Sequence, residues 1–210
     1  MKGQASLLQD VESGIELAEG LFLLRGLADT KALGADIESV ISRAALRRMY
    51  VPRGGKMSVA MTNCGALGWV SDTRGYRYSA HDPLSGQAWP EIPPSFLALA
   101  KAASKAAGYG DFEPDACLVN HYTAGTSLSL HQDRNEASFD YPIVSVSIGS
   151  SAQFLWGGLR RQDPVKKMLL HDGDVLVWGG AVRLAFHGVA VFPRREKEAS
   201  RFNLTLRKAG

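Results

Sequence analysis

The stretch SLSLHQDRNE (Ser127–Glu136) alternates small polar residues with leucine and then sets a histidine and an aspartate two positions apart. Side chains along an extended strand alternate between faces, so His131 and Asp133 project to one side and Leu128, Leu130 and Gln132 to the other. One imidazole and one carboxylate can thereby converge on a single cation. A third donor has to come from a distant segment, and His81, His121, His171 and His187 are the remaining histidines. His187 lies in RLAFHGV, between Phe186 and Gly188, on an apolar run that reads as a late strand. Two imidazoles and one carboxylate on a β scaffold suit non-haem Fe(II) and leave coordination positions open for oxygen and a co-substrate. A bare His-x-Asp is also what an ordinary hydrogen-bonded pair looks like, so the metal reading needs support from elsewhere. A zinc hydrolase is the weaker alternative, because no acidic general base stands in an obvious motif beside these residues.

The segment RFNLTLR (Phe202 lies second in it) supplies that support. As a strand it places Arg201, Asn203, Thr205 and Arg207 on one face and Phe202, Leu204 and Leu206 on the other. If the apolar face packs under a helix, two guanidiniums and an amide line the interior. Buried arginines are costly without an anion, and the guanidinium fork matches a carboxylate. If the polar face meets water instead, the arginines need no explanation. A dicarboxylate co-substrate accounts for both strands at once.

These residues need a frame. At 210 residues, with 45% hydrophobic and 21% charged residues, the chain is long enough for one well-cored domain and is not of disordered composition. A net charge of +3 permits a polyanionic partner without demanding one. Two cysteines, Cys64 and Cys117, exclude a disulfide framework and a four-cysteine zinc site, and reduced buried thiols are expected. Near the N-terminus Asp10, Glu12 and Glu16 flank an apolar run no longer than LFLL (Leu21–Leu24), which fits neither a leader nor a spanning segment. A cytoplasmic protein with no membrane partner is expected.

Residues 1–30 read as an irregular or short-stranded lead-in. Leu33, Ile37, Val40, Ile41 and Ala44 recur at helical spacing, predicting a helix from Ala32 to about Met49. A second helix is predicted after Pro93-Pro94, with Ser95 as N-cap and Gly108 as its stop. Residues 57–90, rich in glycine, aromatics and turn residues, read as hairpins and loops rather than core. From Asp115 onward ACLVNHY, SLSLHQD, PIVSVSIG, AQFLW, DVLVWGG, LAFHGVAVF and RFNLTLR are short β-rich runs separated by turns. That spacing points to an antiparallel sandwich or barrel with helices packed outside.

Seven stretches, MSVAMTNCGALGW, PDACLVNHY, LSLHQD, PIVSVSIG, GGLRRQDP, GDVLVWGG and RFNLTLR, run in this order from about residue 20 to the C-terminus. Together they resemble the AlkB-type Fe(II)- and 2-oxoglutarate-dependent dioxygenases that repair alkylated nucleobases. The resemblance implies a mainly β fold with outer helices (α+β): a double-stranded β-helix (jelly-roll) core over residues 115–210, a helical N-terminal extension, and a nucleotide-recognition lid over residues 50–90, all within one domain, residues 1–210. It makes His131, Asp133 and His187 the catalytic iron ligands and puts Asn120, Tyr122, Arg201, Asn203 and Arg207 around 2-oxoglutarate. It sets Trp69 against the damaged base with His131 on the other face, Tyr76, Arg77 and Tyr78 on the nucleic-acid backbone, and Arg161 in the substrate pocket, with Met57, Met61 and Thr62 lining the cleft. An unstacked base needs aromatic faces and phosphates need cations. Without the resemblance, Trp69, Tyr76 and Tyr78 read as a minor hydrophobic cluster.

The implied activity is oxidative demethylation of bases such as 1-methyladenine and 3-methylcytosine. It consumes O2 and 2-oxoglutarate and releases succinate, CO2 and formaldehyde. The implied partner of this monomer is alkylated single-stranded DNA, with double-stranded DNA and RNA left open. The same machinery acting on a protein side chain or a free base, and a non-catalytic cupin-like metal-binding protein, are the alternatives. Two positions depart from the family's founding member: Asn135 stands where it has aspartate, and His121 where it has arginine. The first puts the preference among damaged bases in question, and an alternating strand turns the second away from Asn120 and Tyr122.

Overall fold

The computed structural model describes residues 14–192 and 197–210; Asp10 and Glu12 lie outside them. Two short strands, β1 (Ile15–Ala18) and β2 (Leu21–Leu24), precede helix α1 (Thr30–Arg43). Strands β3 (Ala60–Gly65), β4 (Gly68–Asp72) and β5 (Gly75–Ser79) follow, then helix α2 (Pro94–Ala106). The remainder is β6 (Ala116–Thr123), β7 (Leu128–His131), β8 (Ile143–Gly149), β9 (Ala152–Trp156), β10 (Lys166–Leu170), β11 (Val175–Trp178), β12 (His187–Val189) and β13 (Ser200–Arg207).

Seven strands form one sheet in the order β1-β2-β11-β8-β13-β6-β3, and four form a second in the order β10-β9-β12-β7. Neighbours pair antiparallel throughout both. β4 and β5 make a separate hairpin. Period-2 alternation gives the larger sheet two apolar faces. Val119, Val144, Val146, Val177, Leu204 and Leu206 pack outward with Leu33, Ile37 and Val40 of α1 and Phe96, Ala100 and Ala103 of α2. On the inner face Met61, Tyr122, Ile143 and Trp178 meet Phe154, Trp156 and Val189 of the smaller sheet. The apolar side of β13 does pack under helices, and its polar side faces the space between the sheets. The result is a jelly roll with helices on one outer face.

Several expectations are corrected. Helix α1, N-capped by Asp29 accepting from the Ala32 amide, ends at Arg43 and does not reach Met49. The chain leaves it because Arg47 exchanges two backbone hydrogen bonds with Met61 of β3, and Met49 accepts one from the Met57 amide; sheet pairing overrides the helical period. Ser95 is not the N-cap of α2. Pro93 occupies that position without a side-chain bond, Pro94 begins the helix, and the Ser95 hydroxyl donates to the Asp36 carboxylate of α1. β3, expected as hairpin or loop rather than core, is a buried strand of the larger sheet, and β1 and β2 also join that sheet, so its strands are not confined to residues 115–210. β10 was not anticipated: its exposed Lys166 and Lys167 hide the alternation, and they suit an open sheet edge that must not recruit another strand. Among the described residues no helix is long and apolar enough to cross a membrane.

Candidate active site

β7 and β12 are neighbours in the smaller sheet, and His131 and His187 are partners in their register. That pairing brings the two imidazoles to 4.4 Å between ring centroids. The His131 Nδ1–H donates to the Ser129 carbonyl (2.8 Å) and the His187 Nδ1–H to the Ala185 carbonyl (3.0 Å). Fixing the proton on Nδ1 leaves both Nε2 lone pairs free. Each Nε2 points at Asp133, which lies just past the end of β7: His131 Nε2 is 3.7 Å from Oδ1 and His187 Nε2 is 3.6 Å from Oδ2. One donor atom from each of the three lies within 4.8 Å of the others. Two imidazole nitrogens and a carboxylate oxygen on one side, with an open cleft on the other, are a donor set that fits Fe(II). Gly188 makes the close pairing feasible, because a Cβ there would come within 2.5 Å of the Leu128 carbonyl oxygen in β7.

The carboxylate is held from behind. Arg207 donates from Nε (3.1 Å) and Nη2 (2.7 Å) to Oδ2 of Asp133, which leaves Oδ1 for the metal. Burial pushes the Asp133 carboxyl up, but the Arg207 guanidinium and both imidazoles outweigh it and hold it well below the usual carboxylate range. Burial beside His187 holds His131 down at about 4, against the pull of Asp133. The metal-free site at neutral pH is thus an ionised carboxylate and an unprotonated His131, ready to coordinate. Beneath lies a second acid, Glu136, buried at 7% exposure. It is 3.5 Å from Arg183 and 3.4 Å from Arg207, and accepts from the Tyr78 hydroxyl at 2.9 Å. Arg183 also donates to the backbone carbonyls of Asp133 and Tyr141, fixing the loop that carries the ligand.

Next to the triad, β6 and β13 are paired so that Arg201 faces Tyr122 and Asn203 faces Asn120. Asn203 is locked by bonds to Ser145 Oγ (2.8 Å) and the Val146 carbonyl (2.9 Å), and its Oδ1 accepts from Thr205 (2.9 Å) and Asn120 (3.4 Å). Arg201 is 1% exposed and donates once, to Ser147 Oγ (3.0 Å); its Nε and Nη1 have no partner. Burial pushes the Tyr122 phenol up to about 12 against the pull of Arg201, so its hydroxyl stays a donor. An orphaned, buried guanidinium is costly unless an anion completes it. The remote carboxylate of 2-oxoglutarate fits that requirement.

A cleft of about 780 Å³ joins both sets of residues to the β4–β5 hairpin. Trp69, on β4, is clamped to the core by Asn63, whose side chain both donates to the Trp69 carbonyl and accepts from its amide, each at 3.0 Å. The Trp69 ring stacks on Tyr76 at 5.6 Å, and its Nε1–H donates to Asn135 Oδ1 at 3.2 Å. Trp69, Tyr76, Met57, Met61, Asn135 and Arg161 all line the cleft, with His131 on its floor. Arg161 donates to the Leu130 carbonyl and lies over Phe186.

Three proposed contacts are not placed on the cleft. Thr62 alternates away from Met61, is fully buried, and donates to the Ala44 carbonyl. Tyr78 is turned inward to Glu136, away from any backbone. Arg77 is held bidentately by Asp72 (2.9 and 2.8 Å) across the hairpin turn. His121 does face away, stacked on Phe202 and 3.0 Å from Ser200 Oγ. Glu136 and Arg183 were missed in the sequence. The available signal was a lone arginine inside the otherwise apolar AVRLAF, which needs a buried acid to accompany it.

A family model described as the 2OG-Fe(II) oxygenase superfamily matches residues 20–207. The chain is 49% identical over 210 residues to the alpha-ketoglutarate-dependent dioxygenase AlkB of Escherichia coli (strain K12), covering 97% of each. It is 35% identical over 134 residues to the human protein named nucleic acid dioxygenase ALKBH1, covering 63% of this chain and 34% of that one. A solved structure of OsALKBH1 superposes with a TM-score of 0.77 at 30% identity, covering 90% of this chain and 96% of that one. The triad, the orphaned arginine and these likenesses agree: the chain belongs to the 2OG-Fe(II) oxygenase superfamily and is an AlkB-type dioxygenase within it.

Proposed function

We propose that the protein oxidatively dealkylates N-alkylated nucleobases in single-stranded DNA, acting on one flipped base at a time. The observation that carries this is a single cleft with the His131–Asp133–His187 triad on its floor and Trp69 on its roof. A base drawn out of its stack fits between an aromatic face and the metal-bound imidazole. A relative named a nucleic acid dioxygenase supports the substrate class. Within residues 50–90, expected as the lid, β3 belongs to the larger sheet, and the β4–β5 hairpin with the loops around it then acts as the lid.

His131, Asp133 and His187 would hold Fe(II), and Asn120, Tyr122, Arg201, Asn203 and Arg207 would surround 2-oxoglutarate, Arg207 while it clamps the Asp133 carboxylate. With O2 these supply the oxidation: an N-methyl group is hydroxylated while 2-oxoglutarate becomes succinate and CO2, and the N-hydroxymethyl product releases formaldehyde and leaves N–H. The protein's own contribution is placement. Arg201 orients the co-substrate by its far end, Arg207 keeps Asp133 ionised, and Trp69 sets the depth of the base. Met57 and Met61 keep water from the reacting methyl group.

The test is reconstitution with Fe(II) under anaerobic conditions, followed by oxygen and a methylated oligonucleotide, with succinate and formaldehyde followed together. Equal yields of the two are expected. Formaldehyde from methylated peptides but from no oligonucleotide overturns the reading.

A further inference from the structure

The hairpin that roofs the cleft has little free charge to offer a phosphate. Arg74 and Arg77 both pair with Asp72, at 3.3 and 2.8 Å, and nearby Arg47 pairs with Asp82 at 2.6 Å. Tyr78 is turned inward to Glu136. A nucleic acid whose base enters under Trp69 has to find backbone contacts elsewhere on the rim.

The turn Tyr50–Lys56 supplies them. It is a small antiparallel finger: Tyr50 bridges Lys56, the Val51 amide donates to the Gly55 carbonyl at 2.7 Å, and the Met57 amide donates to the Met49 carbonyl at 2.8 Å. Gly54, at φ +92°, makes the tight return that a side chain would strain. The finger is anchored on both sides. The Ser71 hydroxyl of β4 donates to the Tyr50 carbonyl at 2.6 Å. The Ser58 hydroxyl donates to the Ser127 carbonyl (2.9 Å) and accepts from its amide (3.1 Å). Val51, Met57 and Ser58 line the cleft, so the finger stands at its rim.

Arg53 and Lys56 are exposed on this finger, and among the described residues neither pairs with a carboxylate. The Tyr50 ring is 49% exposed, with Lys56 Nζ 5.7 Å from its centroid. An exposed ring among uncompensated cations does nothing for the core. It offers what a single-stranded nucleic acid needs, a π-face for a base and positive charge for the phosphates.

Resting on the dealkylase reading, we propose that the Tyr50–Lys56 finger is a second subsite, which holds the unflipped nucleotide next to the damaged one. Tyr50 stacks on that neighbour's base, and Arg53 and Lys56 take the adjoining phosphates. Ser71, which holds Tyr50, lies two residues beyond Trp69 on β4, roughly 7 Å along an extended strand. The two aromatic platforms therefore stand side by side, one for the flipped base and one for its neighbour.

A 1-methyladenine mononucleotide and a trinucleotide with the same lesion in the middle test this. Formaldehyde release is read as kcat/KM, and binding to the metal-free protein is read by fluorescence anisotropy over a salt series. The parent should favour the trinucleotide in both readouts. Tyr50→Ala should cut that advantage about tenfold, the weight of one stacked base, and Tyr50→Phe, which keeps the ring, should retain it. Arg53→Gln and Lys56→Gln should each flatten the salt dependence of trinucleotide binding, by about 0.7 in the slope of log affinity against log salt. An undiminished advantage in Tyr50→Ala, or an unchanged salt slope in both glutamine variants, overturns the inference while leaving the dealkylase reading intact. If neither probe releases formaldehyde, the dealkylase reading falls, and the anisotropy ratios still decide the role of the finger.

Discussion

His131 and His187 sit directly opposite one another on β7 and β12, and each is tied through Nδ1 to a carbonyl two residues earlier in its own segment. The backbone thus chooses the tautomer of both rings before any metal arrives. The two imidazoles are preorganised by strand pairing, the more rigid way to hold a donor, and the loop that carries Asp133 is fixed by Arg183 and Arg207.

The depressed titration of His131 has a visible consequence in the metal-free protein. Its folded value of about 4 lies below the ordinary 6.5. Between those values the unfolded chain takes up a proton that the folded one refuses, so stability falls as pH drops from about 6.5 towards 4, and this group adds no further loss below that. Thermal unfolding of the metal-free protein across this range should show that slope, and His131→Gln should flatten it.

Arg207→Ala leaves Asp133 buried without its cation. Breaking a buried pair in this way costs about 3–5 kcal/mol, to be read by denaturant unfolding of the metal-free protein. Because the Asp133 carboxyl is held low by Arg207, the stability from the pair is present above the ordinary carboxylate value and is lost as pH falls through the depressed one. The variant should lose that acid-side dependence. Arg207→Lys restores a charge but not the fork, so only part of the stability returns.

Arg201→Met is the opposite case. It removes a buried guanidinium that the metal-free protein leaves two-thirds unpaired. Without co-substrate the variant should be as stable as the parent or more so, since an apolar side chain of similar length replaces an uncompensated charge. Its 2-oxoglutarate affinity should drop by about a hundredfold or more, the loss of a charge-assisted contact of roughly 3 kcal/mol. Calorimetric titration checks the second and thermal unfolding the first.

Gly188→Ala should abolish metal binding while both imidazoles remain in the chain. The new methyl group would collide with the Leu128 carbonyl and the Ser129–Leu130 backbone, which cannot yield as a side chain can. β12 must move off β7, and the two Nε2 atoms separate. Cobalt or iron titration followed by absorbance should show no site, with far-UV circular dichroism close to that of the parent.

The legible part of this site was the part written in strand alternation. His131-x-Asp133 and the Arg201, Asn203, Thr205, Arg207 face follow from a period of two, and β13 does bury Leu204 and Leu206 under the helices. The same rule, applied to β3, would have turned Thr62 away from Met61. The glycines and turn residues around that segment conceal the strand. Tyr78 and Glu136 could not be paired from sequence, because their contact joins a hairpin to a loop, and neither carries a periodic signal. The early end of α1 was hidden for a related reason: Arg47 and Met49 continue the helical composition, and only their pairing partners in and beside β3 pull them out of it.

The last strand in sequence, β13, lies between β8 and β6 in the middle of the larger sheet. Until Ser200–Arg207 is in place, that sheet is two separate pieces, β1-β2-β11-β8 and β6-β3. Asp133 then lacks its clamp 74 positions away, and Asn120 its partner 83 positions away. Closure over such separations is the slow part of assembling a β protein. The clamp on the Asp133 carboxylate is accordingly made only when the last strand has entered the middle of the larger sheet.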